Sequence, residues 1–335
     1  MKGSGISIII TAYNTEKYIE ECLDSIARQS WFIDNDEWEI LVGIDHCEKT
    51  LKKMKSIMGN YKNLRVFYMT ENVGTYITSN TLISKAKYAR VLRFDSDDVM
   101  KDCMVEQMMN AMSLVKNCKL VQCYYENMPK KEGKRNTNWA HGVFMCKKQL
   151  FADYGGFMPW RCAGDTEFLK RVGSKEKDSF IIFPQVLFYY RIHEESLTQK
   201  KETDMKSELR KQYREYIDTQ SYDNPVIETI TASAIEILPK QKTKPKKDKV
   251  KEESVKQVGK EPVKQMEEEP VKQVEEEQIK KPDESMQTPV PAVSQVEENI
   301  PQTIEEKPVV QPPKYVKRIL PRVTRRVCTG KYLGV

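Results

Sequence analysis

Three carboxylates are concentrated in the segment Phe94-Asp95-Ser96-Asp97-Asp98, directly after a stretch that is predicted to form a β-strand. Ligands of open α/β sheets bind at the carboxyl ends of the strands, which is where this segment would lie. A hard divalent cation such as Mg²⁺ or Mn²⁺ needs only one or two protein carboxylates, because water and substrate phosphates complete its coordination. The segment is therefore a candidate metal site, and the open alternative is an Asp-rich turn that caps the following helix.

The elements that must position these carboxylates follow an α/β pattern. Short apolar runs alternate with helical patterns over residues 1–200, which is typical of a mostly parallel sheet flanked by helices. Strands are predicted at Ile6–Ile10, Glu39–Ile44, Leu64–Met69, Tyr88–Phe94, Leu120–Tyr125, Val143–Cys146, Phe180–Phe183 and Val186–Tyr190. Helices are predicted after a cap at Asn14 or Thr15, at 75–86, at 102–116, before Gly155-Gly156 and from Asp165.

The sequence becomes rich in Lys, Glu and Pro after about residue 239, and we place the end of the folded part of the chain there. Residues 204–238 contain two predicted helices that are broken at Asn224-Pro225. We therefore assign residues 1–220 to one α/β domain and residues 221–239 to a helical extension. The net charge of +6 arises mainly at the C-terminal end of the chain, so nucleic acid is not expected as a partner of this domain.

The C-terminal residues have two distinct compositions. Residues 240–313 are rich in Lys, Glu and Pro, and they repeat Val-Lys-Gln with a period of eight around Pro262 and Pro270. Proline at that spacing prevents a continuous helix, and so few apolar residues cannot offset the entropy of ordering, which predicts a disordered linker. Residues 314–335 mix seven basic residues with apolar ones and contain no acidic residue. This segment suits an anionic membrane surface, and the open alternative is a solvated tail.

Cysteine usage and hydropathy exclude several classes of protein. The 8 cysteines include no CxxC pair and no repeated spacing, so neither a zinc module nor a small disulfide framework is supported. The longest apolar runs are far shorter than the roughly 20 residues that a membrane span needs, and no signal-like N-terminal segment is present. We expect a cytoplasmic protein, peripheral at a membrane surface if the basic segment binds there.

Seven short motifs follow one another in an order that is found in one enzyme family. They are Ser7-Ile-Ile-Ile-Thr-Ala-Tyr-Asn14 with its following helix, Glu71-Asn72-Val-Gly74, Asp95-Ser-Asp-Asp98, Trp139-Ala-His-Gly142, Gly155-Gly156-Phe157, Gly164-Asp165-Thr-Glu-Phe168 and Tyr190-Arg-Ile-His193. Over about residues 5–200 this series resembles family 2 glycosyltransferases. The resemblance implies a GT-A fold, which is a Rossmann-like α/β architecture, and transfer with inversion at the anomeric carbon. It also implies a UDP- or GDP-linked sugar donor, Mn²⁺ or Mg²⁺, and a glycan, lipid-linked or protein acceptor.

The resemblance implies donor-binding roles for residues at the strand ends. Thr11 and Tyr13 match the loop that meets the nucleotide base, and Asp45 matches a carboxylate that reads the edge of the base. The usual Asp-Asp-Gly-Ser is here Ile44-Asp45-His46-Cys47, so one carboxylate is missing. The alternatives are loop packing for Thr11 and Tyr13, and a strand-end turn for Asp45.

Further positions match the metal site and the diphosphate site of the family. The implied metal ligands are Asp95, Asp97, Asp98 and His193, and Asp95 and Arg191 would also contact the donor. Arg191 would neutralise phosphate charge as a planar donor. The alternative is an ordered loop in which Arg191 and His193 pair with Glu194 or Glu195.

Asp165 matches the general base of the family. An inverting transfer needs a carboxylate opposite the leaving diphosphate, within hydrogen-bond reach of the acceptor hydroxyl. The family motif is often Glu-Asp, whereas this chain has Gly164 before Asp165. The alternative for Asp165 is a helix N-cap alone.

Two rival functions stay open on the sequence. A sugar nucleotidyltransferase would share the sheet and the carboxylates, but it should have a Gly-rich phosphate loop after the first strand, where this chain has Thr11-Ala-Tyr-Asn14. An inactive scaffold whose tail binds a partner is the second rival, because Ile44 and Gly164 depart from the family motifs.

Overall fold

The computed structural model describes residues 5–130 and 137–239 of the 335-residue chain. The strands are β1 (Ile6–Ala12), β2 (Trp38–Ile44), β3 (Leu64–Met69), β4 (Arg90–Asp95), β5 (Val99–Met100), β6 (Leu120–Met128), β7 (Thr137–Lys147), β8 (Phe180–Arg191) and β9 (Ala234–Ile237). The helices are α1 (Ile19–Ala27), α2 (Glu48–Ile57), α3 (Gly74–Lys85), α4 (Met104–Leu114), α5 (Gln149–Tyr154), α6 (Gly164–Glu176) and α7 (Glu208–Thr219). The predicted linker at 240–313 and the basic segment at 314–335 lie outside the described residues.

The strands form one mixed sheet in the order β5-β8-β6-β7-β4-β1-β2-β3-β9. Strand β1 pairs in parallel with β2 and β4, and β3 extends this parallel block. Strand β7 is antiparallel to β4 and β6, whereas β8 is parallel to β6. The α/β prediction is confirmed. The sheet is mixed rather than mostly parallel, because β5, β7 and β9 pair in the antiparallel direction.

Apolar side chains on both faces of the sheet explain why all residues of its first strand except Ser7 and Thr11 are apolar. Successive side chains of a strand point to opposite faces, so Ile8 and Ile9 of β1 enter different cores. The core around Ile8 includes residues of α1, α2 and α4, and the core around Ile9 includes residues of α3, α5 and α6. Because helices cover both faces, the strand ends are the places where polar chemistry can be presented.

Two predictions at helix ends have different outcomes. Helix α5 is followed by Gly155 with a φ of 82°, which confirms the glycine C-cap. Helix α1 begins at Ile19, and the predicted side-chain cap from Asn14 or Thr15 is wrong. The backbone carbonyl of Thr15 instead accepts hydrogen bonds from the amides of Tyr18 and Ile19, at 2.9 Å each. A backbone turn thus satisfies the amides that the side chain was expected to cap.

The predicted helical extension at 221–239 is wrong. Its last residues form β9, which pairs antiparallel to β3, and the amide of Thr70 donates to the carbonyl of Ser233 at 3.1 Å. This stretch is rich in Ile and Thr, which favour extended backbone. The free edge of β3 supplies the hydrogen-bond partners that select a strand over a helix.

Candidate active site

Three parallel strands end together and create the edge at which the predicted site residues meet. Thr11 on β1 lies opposite Gly43 on β2 and opposite Asp95 on β4. The chain therefore leaves the three strands at one edge of the sheet, which carries Asp45 and the residues that follow Asp95. We call this the carboxyl edge.

Arg93 is a buried guanidinium at the middle of the carboxyl edge. Its side chain is 7% exposed, and its Nη2 lies 3.0 Å from Asp95 Oδ1. Nη1 donates to the carbonyl of Gly142 at 2.6 Å, and Nη2 donates to Thr75 Oγ1 at 3.2 Å. Thr75 Oγ1 in turn lies 2.7 Å from Thr11 Oγ1. Arg93 therefore connects β4 to β7 and α3 beneath the predicted metal site.

Gly142 on β7 separates two carboxylates that are far apart in the sequence. A Cβ atom built on Gly142 would lie 3.2 Å from Asp165 Oδ2 and 3.7 Å from Asp95 Oδ2. It would also lie 3.1 Å from Arg93 Nη1, so the glycine lets the backbone approach this guanidinium and both carboxylates closely. We call the small region between Gly142, Asp165 and Asp95 the Gly142 gap.

Asp165 lies in the first turn of α6, and the residue that precedes the helix is Ala163, with a φ of 61°. The N-cap alternative for Asp165 is therefore not seen. Asp165 Oδ1 accepts a hydrogen bond of 2.9 Å from the Tyr76 hydroxyl. Burial and the negative charge of Asp165 raise the pKa of Tyr76 well above its ordinary value, so this phenol stays a donor.

Asp97 and His193 are the pair of predicted metal ligands that the fold brings into direct contact. His193 Nε2 lies 2.7 Å from Asp97 Oδ2, and both side chains are partly exposed, at 12% and 19%. The His193 ring also packs on Tyr18, with 4.8 Å between the ring centroids. A carboxylate and an imidazole thus face each other at the carboxyl edge.

Asp98 is the most deeply buried of the three carboxylates in the segment Asp95-Ser-Asp-Asp98. Its Oδ1 accepts a hydrogen bond of 2.8 Å from the amide of Arg191, and its Oδ2 has no hydrogen-bond partner within the described residues. Burial raises the pKa of Asp98 well above its ordinary value, and the charges of Asp97 and Asp95 raise it further. Burial is also the main cause of the raised pKa of Asp95, against the lowering effect of Arg93.

These observations decide whether the residues fit a divalent cation. Carboxylate oxygens suit Mg²⁺ or Mn²⁺, and Asp98 has an oxygen without a hydrogen-bond partner among the described residues. A cation would also relieve the mutual repulsion of Asp95, Asp97 and Asp98. The described residues contain no group of three or more His, Cys, Asp or Glu side chains that already surrounds one position. The donor set therefore fits a cation whose coordination is completed by substrate and water.

Arg191 is held by protein groups on several sides. Its Nε donates to the carbonyl of Asp97 at 2.8 Å, its Nη2 donates to Glu21, and its guanidinium lies 5.0 Å from the ring centroid of Tyr18. The alternative of pairing with Glu194 or Glu195 is not seen, because Glu21 on α1 takes that place. Arg191 thus lies beside the acidic segment, and its own position is fixed by α1.

Asp45 is engaged with the start of α3, and its predicted contact with a base stays a prediction. Its two carboxylate oxygens accept hydrogen bonds from the amides of Val73 and Gly74, at 2.8 and 2.9 Å. The residue is 4% exposed, and burial raises its pKa against the lowering effect of these amides. Asp45 therefore anchors the N-terminus of α3, which is a structural use of a carboxylate at a helix start.

Thr11 and Tyr13 have different surroundings. Thr11 is engaged with Thr75 in the Arg93 network, whereas Tyr13 is 47% exposed. Lys200 Nζ lies 5.9 Å from the Tyr13 ring centroid. Tyr13 and Lys200 together present an aromatic face and an ammonium group at the carboxyl edge, whereas Thr11 has a packing role in the described contacts.

Sequence reasoning missed Arg93 and Tyr76. A signal for Arg93 existed, because a charged residue in a buried strand requires a buried partner. Tyr76 gave no comparable signal, since a tyrosine on an apolar helix face usually belongs to the core.

Comparisons with known proteins match part of the chain to one enzyme family. Residues 7–173, close to half of the chain, match the model of the family described as glycosyl transferase family 2. The chain is 28% identical over 111 residues to the putative teichuronic acid biosynthesis glycosyltransferase TuaG of Bacillus subtilis, which is 32% of this chain and 41% of that protein. It is 36% identical over 95 residues to the poly(ribitol-phosphate) β-N-acetylglucosaminyltransferase TarS of Staphylococcus aureus, which is 28% of this chain and 16% of that protein.

Among solved structures, a mannosyltransferase from Pyrobaculum calidifontis in complex with GDP-Man and Mn²⁺ aligns with 17% identity and a TM-score of 0.49. The alignment covers 64% of this chain and 65% of that structure. The matched segments span less than half of the curated relatives TuaG and TarS. The resemblance to family 2 is confirmed over residues 7–173. In the part of the chain that the structure describes, we find no helix with the length and hydrophobicity of a membrane span.

Proposed function

Because residues 7–173 match glycosyl transferase family 2, we propose that this chain is a glycosyltransferase that acts with inversion. It transfers a sugar from a nucleoside diphosphate sugar to an acceptor hydroxyl. The single observation that carries the proposal is the Gly142 gap, because Asp165 Oδ2 and Asp95 Oδ2 border it from different elements. A carboxylate base and a donor-side carboxylate facing one small space is the arrangement that direct displacement at a sugar carbon needs.

The proposed reaction uses Asp165 as the general base. Asp165 takes the proton of the acceptor hydroxyl as the oxygen attacks the anomeric carbon, and the nucleoside diphosphate leaves on the opposite face. Arg93 stays buried beneath Asp95 and holds its carboxylate in place through the 3.0 Å contact. Most of the rate enhancement then comes from positioning and from fixed charges around the developing negative charge.

Asp97 and His193, with Asp95 and the free oxygen of Asp98 nearby, would hold a bound Mn²⁺ or Mg²⁺. Such an ion, when bound, supplies charge neutralisation for the diphosphate of the donor. Tyr13 and Lys200 would meet the base and the phosphates, because an exposed ring and an ammonium group suit stacking and phosphate binding respectively.

The names of the relatives guide the choice of donors and acceptors. TarS is named for transfer of N-acetylglucosamine to poly(ribitol-phosphate), and TuaG for biosynthesis of teichuronic acid. A solved TarS structure is a complex with UDP-GlcNAc. We therefore propose a UDP-linked sugar before a GDP-linked one, and an extended anionic glycopolymer as the first acceptor class. The match to family 2 favours transfer over a sugar nucleotidyltransferase and over an inactive scaffold.

A screen of nucleotide sugars tests the proposed function. The full chain is incubated with Mn²⁺ and with UDP-GlcNAc, UDP-glucose or GDP-mannose, and thermal unfolding and nucleoside diphosphate release are measured. A donor at about 100 times its Kd should stabilise the fold by about 2.7 kcal/mol. EDTA should abolish both effects. Failure of every nucleotide sugar to stabilise the protein or to be turned over would favour the scaffold.

We propose a cytoplasmic location with peripheral attachment to an anionic membrane through residues 314–335. Seven basic residues without an acidic one support this, since each is worth about 1 kcal/mol near an anionic surface. Co-sedimentation with vesicles of phosphatidylglycerol and phosphatidylcholine should retain the full chain. Neutral phosphatidylcholine vesicles should not retain it, and equal retention by both would contradict the proposal.

A further inference from the structure

Gly164 makes room for an aromatic ring next to the proposed base. A Cβ atom built on Gly164 would lie 2.9 Å from two carbons of the Tyr76 ring, which is closer than real Cβ contacts occur. Any side chain at this position, including the glutamate that is common in family 2 motifs, would have to displace the ring. The departure at Gly164 is thus matched by a tyrosine that occupies the space beside it.

The ring of Tyr76 delivers one hydrogen bond to the proposed base. Tyr76 is 5% exposed, so its hydroxyl is oriented by packing, and it donates to Asp165 Oδ1 at 2.9 Å. Phe157 packs on the same ring, with 5.5 Å between the centroids, and the Arg93 guanidinium lies 5.9 Å from its centre. The donor therefore has little freedom to leave Asp165.

The second oxygen of Asp165 faces a different environment. Asp165 Oδ2 borders the Gly142 gap, which Arg93 Nη1 and Asp95 Oδ2 also approach. One oxygen is thus fixed by the Tyr76 hydroxyl, and the other lies near the predicted metal-site residues. A carboxylate whose two oxygens have different surroundings can use one oxygen for orientation and the other for proton transfer.

We propose that Tyr76 is the positioning residue that orients Asp165 so that Oδ2 is the proton acceptor. This inference rests on the proposed glycosyl transfer. The proton of the acceptor hydroxyl passes to Oδ2, and the hydroxyl oxygen forms the bond to the anomeric carbon as the bond to the diphosphate breaks. Tyr76 keeps its proton throughout.

A double-mutant cycle tests whether Tyr76 acts through Asp165. Turnover of the best nucleotide sugar from the screen is followed with a radiolabelled sugar for the wild type, Tyr76→Phe, Asp165→Asn and the double variant. Tyr76→Phe should lower kcat about tenfold, the loss of about 1.4 kcal/mol from one charge-assisted hydrogen bond, and leave the donor KM within about twofold. In the Asp165→Asn background the same change should have no further effect.

Two further variants separate the loss of this hydrogen bond from general structural damage. Tyr154→Phe removes a tyrosine donor to a carboxylate, Glu176, outside the site and should leave kcat unchanged. Gly164→Ala should displace the Tyr76 ring and reproduce the kcat loss, again only when Asp165 is present. An unchanged kcat in Tyr76→Phe, or an equal loss in both backgrounds, overturns the inference while the proposed function stands. A wild-type enzyme without turnover of any donor overturns both.

Discussion

Each carboxylate at the carboxyl edge has a different set of partners, and the partners decide what it can do. Both carboxylate oxygens of Asp45 accept hydrogen bonds from amides at the start of α3, so Asp45 stabilises that helix. Asp98 gives one oxygen to the amide of Arg191 and is deeply buried. Asp97 and Asp165 remain partly exposed, next to a histidine and a tyrosine respectively. The residues with accessible oxygens are therefore the ones on which we base predictions of activity.

Asp165→Asn should remove turnover and spare donor binding. The amide is nearly the same size as the carboxylate but cannot take the acceptor proton, so we expect kcat to fall by about 10² to 10⁴-fold. Calorimetric affinity for the nucleotide sugar should stay within about twofold of the wild type. The exposed Asp178 provides the matched control, since Asp178→Asn should change neither quantity. Near wild-type turnover in Asp165→Asn would show that another group is the base.

Asp97→Asn should weaken the binding of Mn²⁺ at least about tenfold, because a neutral amide oxygen binds a hard cation more weakly than a carboxylate does. The measurement is the Mn²⁺ dependence of thermal unfolding in the presence of UDP, which needs no turnover. Asp34→Asn, an exposed change far along the chain, is the control. If both variants respond to Mn²⁺ like the wild type, Asp97 is not a ligand.

Sequence spacing could predict these aspartates because each of them directly follows a strand or opens a helix. It could not predict Tyr76 or Arg93, whose importance depends on contacts between elements that are distant in the chain. Tyr76 meets Asp165 across 89 residues, and Arg93 meets the carbonyl of Gly142 across 49. Nothing in the local pattern of either residue encodes those encounters.

At the scale of elements, α6 depends on one buried ion pair. Arg171 and Glu167 are 1% and 0% exposed, and Arg171 also donates at 2.6 Å to the carbonyls of Tyr154 and Gly156. These bonds attach the end of α5 to the helix that carries Asp165. The position of the proposed base is therefore coupled to a pair that begins in its own helical turn, at Glu167, and ends at Arg171.

Arg171→Leu should destabilise the fold by about 3 to 5 kcal/mol, because it leaves Glu167 buried without its cation. Burial raises the pKa of Glu167 against the lowering effect of Arg171, so the variant should raise it further. A raised folded-state pKa gives stability that is complete below the unfolded pKa and is lost as the pH rises. The variant should thus lose more stability at about pH 8 than at about pH 5.

Urea unfolding of Arg171→Leu at both pH values provides the measurement. Lys211→Leu is the control, since Lys211 pairs with Glu208 on the exposed face of α7. This substitution should lower the free energy of unfolding by about 0.5 kcal/mol or less. Equal losses for the two variants would show that the buried pair has no special weight.

The elements themselves were predictable where the apolar pattern is regular and local. The strands around Ile6–Ile10 and Leu64–Met69 follow from short, mostly apolar runs in which Ser7 and Arg65 are the exceptions. Strand β9 did not follow, because its apolar residues fit a helix as well as a strand. The open edge of β3 selects the strand. The two strands are distant in the sequence, since Arg65 of β3 and Glu236 of β9, which form a hydrogen bond, are 171 residues apart.

For the molecule as a whole, residues 226–237 complete the domain. Ile230 accepts a hydrogen bond from the Asn80 side chain at 3.0 Å, and Thr229 accepts one from the amide of Gly156 at 2.8 Å. With β9 these contacts join the last described residues to α3 and β3. The domain therefore extends to the end of β9, beyond the predicted boundary at residue 220.

A fragment of residues 1–239 should melt within about 2 °C of the full chain, because both cores and the sheet lie within it. A fragment of residues 1–224 should melt at least about 6 °C lower or aggregate, since the edge of β3 is left unpaired. Differential scanning calorimetry gives the comparison. Equal melting of the two fragments would show that β9 is dispensable.

The direction of β9 also determines how the protein can be handled in experiments. Ala234 pairs with Met69 at the carboxyl edge, and Ile237 pairs with Val66 toward the opposite end of the strand. The backbone therefore leaves the described domain on the side away from Asp95 and Asp165. A biosensor chip that captures a 1–239 fragment through a C-terminal tag would therefore bind the protein on the side opposite the carboxyl edge. Nucleotide sugars and polymeric acceptors could then both reach the site of the immobilised enzyme.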